Sequence, residues 1–311
     1  MNLNLCVQSG GLTSHFTPAE EYKLIKECGF SSVDLGLDTC FNKNEMREHM
    51  GEGRCIFERT MPEIEAYYKE QIDAIKENGL YVYQAHAPFP AYMKDIPSFT
   101  DGCIEIYKNV MRYCQIIGCK YLVIHGISLA RDDYAHTEED IDGLNEKLYT
   151  SLIETAKETG VVVCLENLFT NYDSTIFEGH CSDPHLAIRF IDHLNVLAGQ
   201  ECFGLCVDTG HLNLLGKNQY SYITALGSRI KCFHIHDNDG KSDLHLAPYT
   251  GSVNFDDFCR ALKAIGYNGD LNFETFRQYK KVRMQDKRAV KPWLRLVAEM
   301  GELFKTKILE D

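Results

Sequence analysis

Apolar positions along the chain fall into short continuous runs separated by longer stretches of helical period. The runs are LNLCVQS (3–9), SSVDLGL (31–37), LYVYQAHA (80–87), YLVIHG (121–126), VVVCLENL (161–168), FGLCVDTG (203–210), IKCFHIHD (230–237) and DLNFET (270–275). Most show no in/out alternation, the mark of a parallel strand buried on both faces. Between them Pro18 opens a helix that stops at Gly29, and Pro62 opens one that stops at Gly79. Thr100 and Asp101 are the expected caps of a helix running to Gly118. Asp183-Pro184 and Asn254 start two more helices, and KPWLRLVAEMGELF is the terminal one. Proline early and glycine late is the usual asymmetry of helix ends.

Spread over 311 residues, eight such units average about 39 residues each, with no Pro/Gly/Ser-rich linker dividing the chain. The pattern predicts a single (β/α)8 barrel domain spanning 1–311. A doubly wound open sheet is the second choice, but no G-x-G-x-x-G follows any strand. The segment from Asp38 to Thr60 is longer than a βα connection requires, an extended loop after strand 2 that is either a lid or a short extra helix at the mouth.

Composition narrows the class. At 44% hydrophobic and 25% charged residues the chain is ordinary globular material, which excludes disordered and fibrous classes. A net charge of −13 argues against a partner gripped through its phosphates, so nucleic acid is not expected. The thirteen cysteines include no C-x-x-C pair, and several lie within apolar runs where a thiol behaves as a small hydrophobe. With no signal-peptide pattern at the N-terminus and no long apolar window, a cytoplasmic enzyme with no membrane partner is expected. Self-association is left open.

The informative chemistry lies at the ends of the strands. Strands three to eight close on His86, His125, Glu166, Asp208, His234 and Glu274. A (β/α)8 barrel gathers the C-terminal ends of its strands at one mouth, and buried carboxylates there need compensation that a divalent cation supplies. His211 follows Asp208 in DTGH, and Asp243 and His245 form a D-x-H pair in the loop after strand seven. Two residues apart on an extended segment, that pair projects to one side. An oxygen-rich set of two glutamates, an aspartate and a histidine suits Mn²⁺, Mg²⁺ or Co²⁺, while the added histidines favour Zn²⁺ if further sites fill. Lys241 and Arg277 are candidates for steering an anionic substrate, against the plainer reading of surface cations.

Taken together, QAHAP, VIHG, LENL, CVDTGH, FHIHDND, D-x-H and FET resemble the xylose-isomerase-like barrel superfamily over nearly the whole chain. That superfamily holds sugar and sugar-phosphate isomerases and epimerases together with the endonuclease IV type of AP endonuclease. The epimerase resemblance implies one metal on Glu166, Asp208, His234 and Glu274, with His211 on substrate oxygens. The two glutamates then move a proton at carbon through an enediolate. The endonuclease resemblance implies three zinc ions on nine ligands: His86, His125, Glu166, Asp208, His211, His234, Asp243, His245 and Glu274. Net charge, and loops lacking basic-aromatic interleaving, favour a carbohydrate substrate; His236 also sets the strand-seven motif apart from the DNA enzymes. The arginine that ketose epimerases carry soon after the strand-seven histidine is absent, with Gly240 and Lys241 in that neighbourhood. A related lyase or dehydratase, or a metal-stabilised sugar-binding protein, are the remaining alternatives.

Overall fold

Strand formation follows the apolar runs. In the computed structural model, which describes residues 3–9, 16–38, 41, 43–128, 138–173, 175–275 and 287–310, each predicted run contains a strand. They are β1 (Leu5–Ser9), β2 (Ser32–Gly36), β3 (Tyr81–His86), β4 (Tyr121–Val123), β5 (Val162–Glu166), β8 (Phe203–Asp208), β9 (Ile230–His234) and β10 (Leu271–Phe273). Two further strands, β6 (Phe169–Tyr172) and β7 (Thr175–Glu178), pair antiparallel as a separate hairpin.

The eight strands hydrogen-bond in the order β10-β1-β2-β3-β4-β5-β8-β9. A parallel bridge between Ile235 and Phe273 links the two ends, with Ile235 N–H donating to Asn272 O at 2.9 Å. Eight parallel strands with helices between them thus form a nearly closed (β/α)8 barrel. Among the described residues no helix is long and apolar enough to cross a membrane.

The helices carry their own start and stop signals. Thr17 and Glu20 form a reciprocal capping box on α1 (Pro18–Glu27). Helix α2 (Lys43–His49) occupies part of the long segment after β2 and buries Met46. Next come α3 (Met61–Glu77), α4 (Phe99–Ile117), α5 (Glu138–Thr150), α6 (Ile153–Thr159) and α7 (Pro184–Ala198). Asp183 caps α7 by accepting from the His185 and Leu186 N–H groups, and Pro184 sits at its first turn. Then follow α8 (Thr209–Leu214), α9 (Gln219–Leu226), α10 (Phe255–Ile265) and α11 (Val290–Leu309). The expected cap at Thr100 is not used: α4 begins at Phe99, and the Thr100 hydroxyl instead donates to Ala91 O at 3.0 Å.

The chain divides into two compact units. Unit 1 comprises 1–35, 70–83 and 206–311; unit 2 comprises 36–69 and 84–205. In unit 1 Phe304 of α11 packs on Phe255, Phe258 and Phe273 with ring centroids 5.1–6.0 Å apart. Gly301 permits that approach, since a Cβ there would stand 2.7 Å from Leu5 Cδ2. Removing the Phe304 ring costs about 3–5 kcal/mol by loss of burial and creation of a cavity. Unit 2 has its own aromatic core of Phe57, Tyr68 and Tyr113. All twelve cysteines among the described residues are buried thiols outside any disulfide, Cys164 and Cys206 included, as their apolar runs predict.

Candidate functional site

In unit 2, β3 and β5 end on His86 and Glu166, and His125 lies two residues past β4. His86 Nδ1–H donates to Ala87 O at 2.8 Å, which leaves its Nε2 with a lone pair. That Nε2 lies 3.0 Å from His125 Nε2, which lies 3.0 Å from Glu166 Oε2; the third separation, His86 to Glu166, is 3.8 Å. A tetrahedral ion about 2.0–2.1 Å from each ligand implies donor separations of about 3.3 Å, which these three values bracket. Phe89 covers both imidazoles, its ring centroid 5.4 Å from His86 and 4.7 Å from His125.

Behind this group Gly126 leaves room for the His180 ring, since a Cβ on Gly126 would meet His180 Nδ1 at 2.4 Å. Tyr149 stacks on His180 at 5.8 Å, Phe190 packs edge-on at 5.4 Å, and Cys181 Sγ lies 3.3 Å from Nδ1. Desolvation in these surroundings pushes the His180 pKa down to about 4.

Unit 1 holds a denser group. Asp208 ends β8 and caps α8: its Oδ1 accepts from the His211 backbone N–H at 2.7 Å, and its Oδ2 lies 2.9 Å from His236 Nε2. His234 ends β9, with Nε2 3.5 Å from Asp34 Oδ2 and Nδ1 3.6 Å from Glu274 Oε2. Asn272 donates to that same Asp34 oxygen at 2.9 Å. Gln8 donates to Glu274 Oε1 at 2.9 Å, so the two Glu274 oxygens have different neighbours. His245 adopts a left-handed backbone (φ 49°), donates from Nδ1 to Glu274 O at 3.1 Å and places Nε2 2.9 Å from Asp243 Oδ2. The His236 and His245 rings stack at 4.0 Å, 9° from parallel.

Electrostatics in this group run opposite to those at His180. Burial pushes His236 down, but the carboxylates of Asp208, Asp243 and Glu274 more than reverse it, holding the ring above the ordinary histidine value. Burial pushes Asp243 up, yet the hydrogen bond from His245 and the charges of His245, His236 and His211 hold it well below the usual carboxylate range.

The donor chemistry fits a divalent cation in both units. His86, His125 and Glu166 form one group of donor atoms within 4.8 Å of one another; Asp208, His211 and His236 form a second; His236, His245 and Glu274 form a third. Imidazole nitrogens set against buried carboxylates are the ligand types such ions take.

The structure thus brings His86, His125 and Glu166 together in unit 2, and Asp208, His211, His234, Asp243, His245 and Glu274 together in unit 1. Lys241 is exposed on its loop, its backbone N–H bonded to Asp239 Oδ1 at 2.9 Å. Arg277 lies outside the described residues. Sequence reasoning did not single out Asp34, Gln8 or the contacts of His236. The signals were present: a lone Asp inside SSVDLGL, a Gln inside LCVQS, and a second histidine two residues after His234, on the same side of the chain.

The family profile described as xylose isomerase-like TIM barrel matches residues 22–299. An uncharacterized protein y4fM of Sinorhizobium fredii is 28% identical over 183 residues, covering 55% of this chain and 52% of that protein. The chain therefore matches about half the length of that relative. An inosose isomerase of Bacillus velezensis is 26% identical over 246 residues, covering 73% of this chain and 81% of that protein. Among solved structures, the IolI protein with a bound zinc atom superposes with a TM-score of 0.71 at 17% identity, covering 99% of this chain and 100% of that one. At that identity the superposition shows the fold alone.

Proposed function

The chain belongs to the xylose isomerase-like TIM barrel family, and from that premise we propose that it is a divalent-metal-dependent isomerase or epimerase of a small carbohydrate. The observation that carries the reading is the set of buried carboxylates and imidazoles at strand ends, in a chain similar to an inosose isomerase. Glu166, Asp208, His234 and Glu274 would hold the ion, each standing at the end of its strand or one residue beyond. When bound, the cation supplies Lewis-acid polarisation of a carbonyl and its neighbouring hydroxyl. His86, His125, His211, Asp243 and His245 take substrate oxygens or a further ion.

The chain's own residues then move the proton. Gln8 fixes Glu274 Oε1 and leaves Oε2 toward the imidazoles, so one oxygen is oriented and the other is available as base. Glu166 enters the step as the carboxylic acid and gives its proton to the enediolate of the substrate, while Glu274 keeps the one it took; exchange with solvent resets the pair. Asp34, 3.5 Å from His234 Nε2, fixes the ring so that Nδ1 faces Glu274.

The donor separations at His86, His125 and Glu166 favour a second reading, with more than one ion and phosphodiester hydrolysis at abasic DNA. Chelation followed by reloading with Mn²⁺, Mg²⁺, Co²⁺ or Zn²⁺ separates the two. Interconversion of ketoses or inososes, lost on chelation and restored with one ion per chain, is the expected result. Three zinc ions per chain and cleavage of abasic duplex without sugar turnover would overturn it.

A further inference from the structure

Three contacts lock the ring of His236 against Asp208. The ring is fully buried and stacked on His245 at 4.0 Å. Its edge rests on Gly210, where a Cβ would stand 2.0 Å from His236 Cε1, so only glycine admits the ring there. Its backbone is held from the same segment: Thr209 Oγ1 donates to His236 O at 2.7 Å and accepts the His236 N–H at 3.0 Å. The first two residues of α8, Thr209 and Gly210, thus fix the ring that faces the carboxylate preceding them.

Asp208 is held at both oxygens. Oδ1 accepts the His211 N–H at 2.7 Å, and Oδ2 lies 2.9 Å from His236 Nε2. A carboxylate held at both oxygens has one orientation.

We propose that His236 is a positioning residue that donates from Nε2 to Asp208 Oδ2 and so fixes the orientation in which Asp208 would meet the cation. The inference rests on the proposed metal site, and goes beyond it by giving a role to a histidine outside the ligand set. It separates two roles for one ring: a donor to the carboxylate, or a ligand in its own right through the same nitrogen.

The test is metal binding, read by titration of the chelated protein with Co²⁺ and by the visible spectrum of the bound ion. His236→Gln keeps an N–H donor near the position of Nε2, and His236→Ala removes it. Wild-type affinity and spectrum in His236→Gln, with binding about 10–100-fold weaker and an altered spectrum in His236→Ala, are the expected results. Equal loss in both variants would make His236 a ligand and overturn the proposal. Wild-type affinity and spectrum in His236→Ala, with only a lowered melting temperature, would reduce the residue to packing and overturn it as well. A wild-type protein that takes up no cobalt would instead sink the metal site itself, and the inference with it.

Discussion

Each unit seats a histidine ring against a glycine beside a strand-end group, and the two rings are shifted in opposite directions. In unit 2 Gly126, next to His125, admits His180; in unit 1 Gly210, two residues past Asp208, admits His236. Desolvation acts downward on both. His180 meets Tyr149, Phe190 and Cys181, so nothing opposes that effect and the ring is neutral at pH 7. His236 meets Asp208, Asp243 and Glu274, and their charges reverse it. Desolvation alone therefore does not set the pKa of a histidine; its charged neighbours do. The same glycine device builds a packing group in one unit and a partner for carboxylates in the other.

The largest effect that sharpens this contrast is on turnover. Glu274→Gln in unit 1 is expected to lower kcat by about 10²–10⁴-fold, the range for removing a general base. His180→Phe in unit 2 is expected to leave kcat within a factor of about three, since the ring there packs and does not touch the carboxylates. Initial rates on the same sugar, with metal content measured in each variant, check both. Comparable losses in the two would erase the distinction between the units.

Stability against pH probes the neutral ring. The folded pKa of His180 is depressed to about 4, below its unfolded value near 6.5, so the unfolded chain binds the extra proton first as pH falls. Its contribution is complete above pH 6.5 and is lost between about pH 6.5 and 4, by at most about 3 kcal/mol, less to the extent that water reaches the ring. Urea unfolding across that window is expected to show the loss in wild-type protein and a flatter profile in His180→Phe. Parallel profiles would mean that the ring is hydrated.

A smaller and more selective effect comes from filling the two glycines. Gly210→Ala should displace His236 and weaken metal binding about 10–100-fold. Gly126→Ala should displace His180, costing about 1–3 kcal/mol of stability by overpacking while metal content holds. Calorimetric metal titration and thermal melts on the pair read both outcomes. Loss of metal in both variants would show that the two glycines serve one function.

Much of this was legible because buried parallel strands write themselves as unbroken apolar runs. VVVCLENL and FGLCVDTG announce both β5 and β8 and the carboxylates that end or follow their cores. The β6–β7 hairpin was not legible, because β7 is mostly exposed and so lacks the apolar run of the other strands. The start of α4 was misplaced for a different reason: Thr100 satisfies Ala91 O, a partner no local pattern names. Asp34 and Gln8 were hidden inside apolar runs, and their roles depend on His234, Asn272 and Glu274, which lie far along the chain from both. Gly210 reads as an ordinary turn glycine until His236 is seen against it.

Proton transfer at carbon is the step on which the isomerase reading stands, and solvent hydrogen reports it directly. Metal-loaded protein is incubated in heavy water with ketoses and inososes, and the recovered sugars are examined by NMR and mass spectrometry. Deuterium at the carbon beside the carbonyl, absent from the Glu274→Gln reaction at matched metal content, is the predicted result. Sugars that return unlabelled, from a protein that cuts abasic duplex DNA and loses that cleavage in Glu166→Gln, would contradict it.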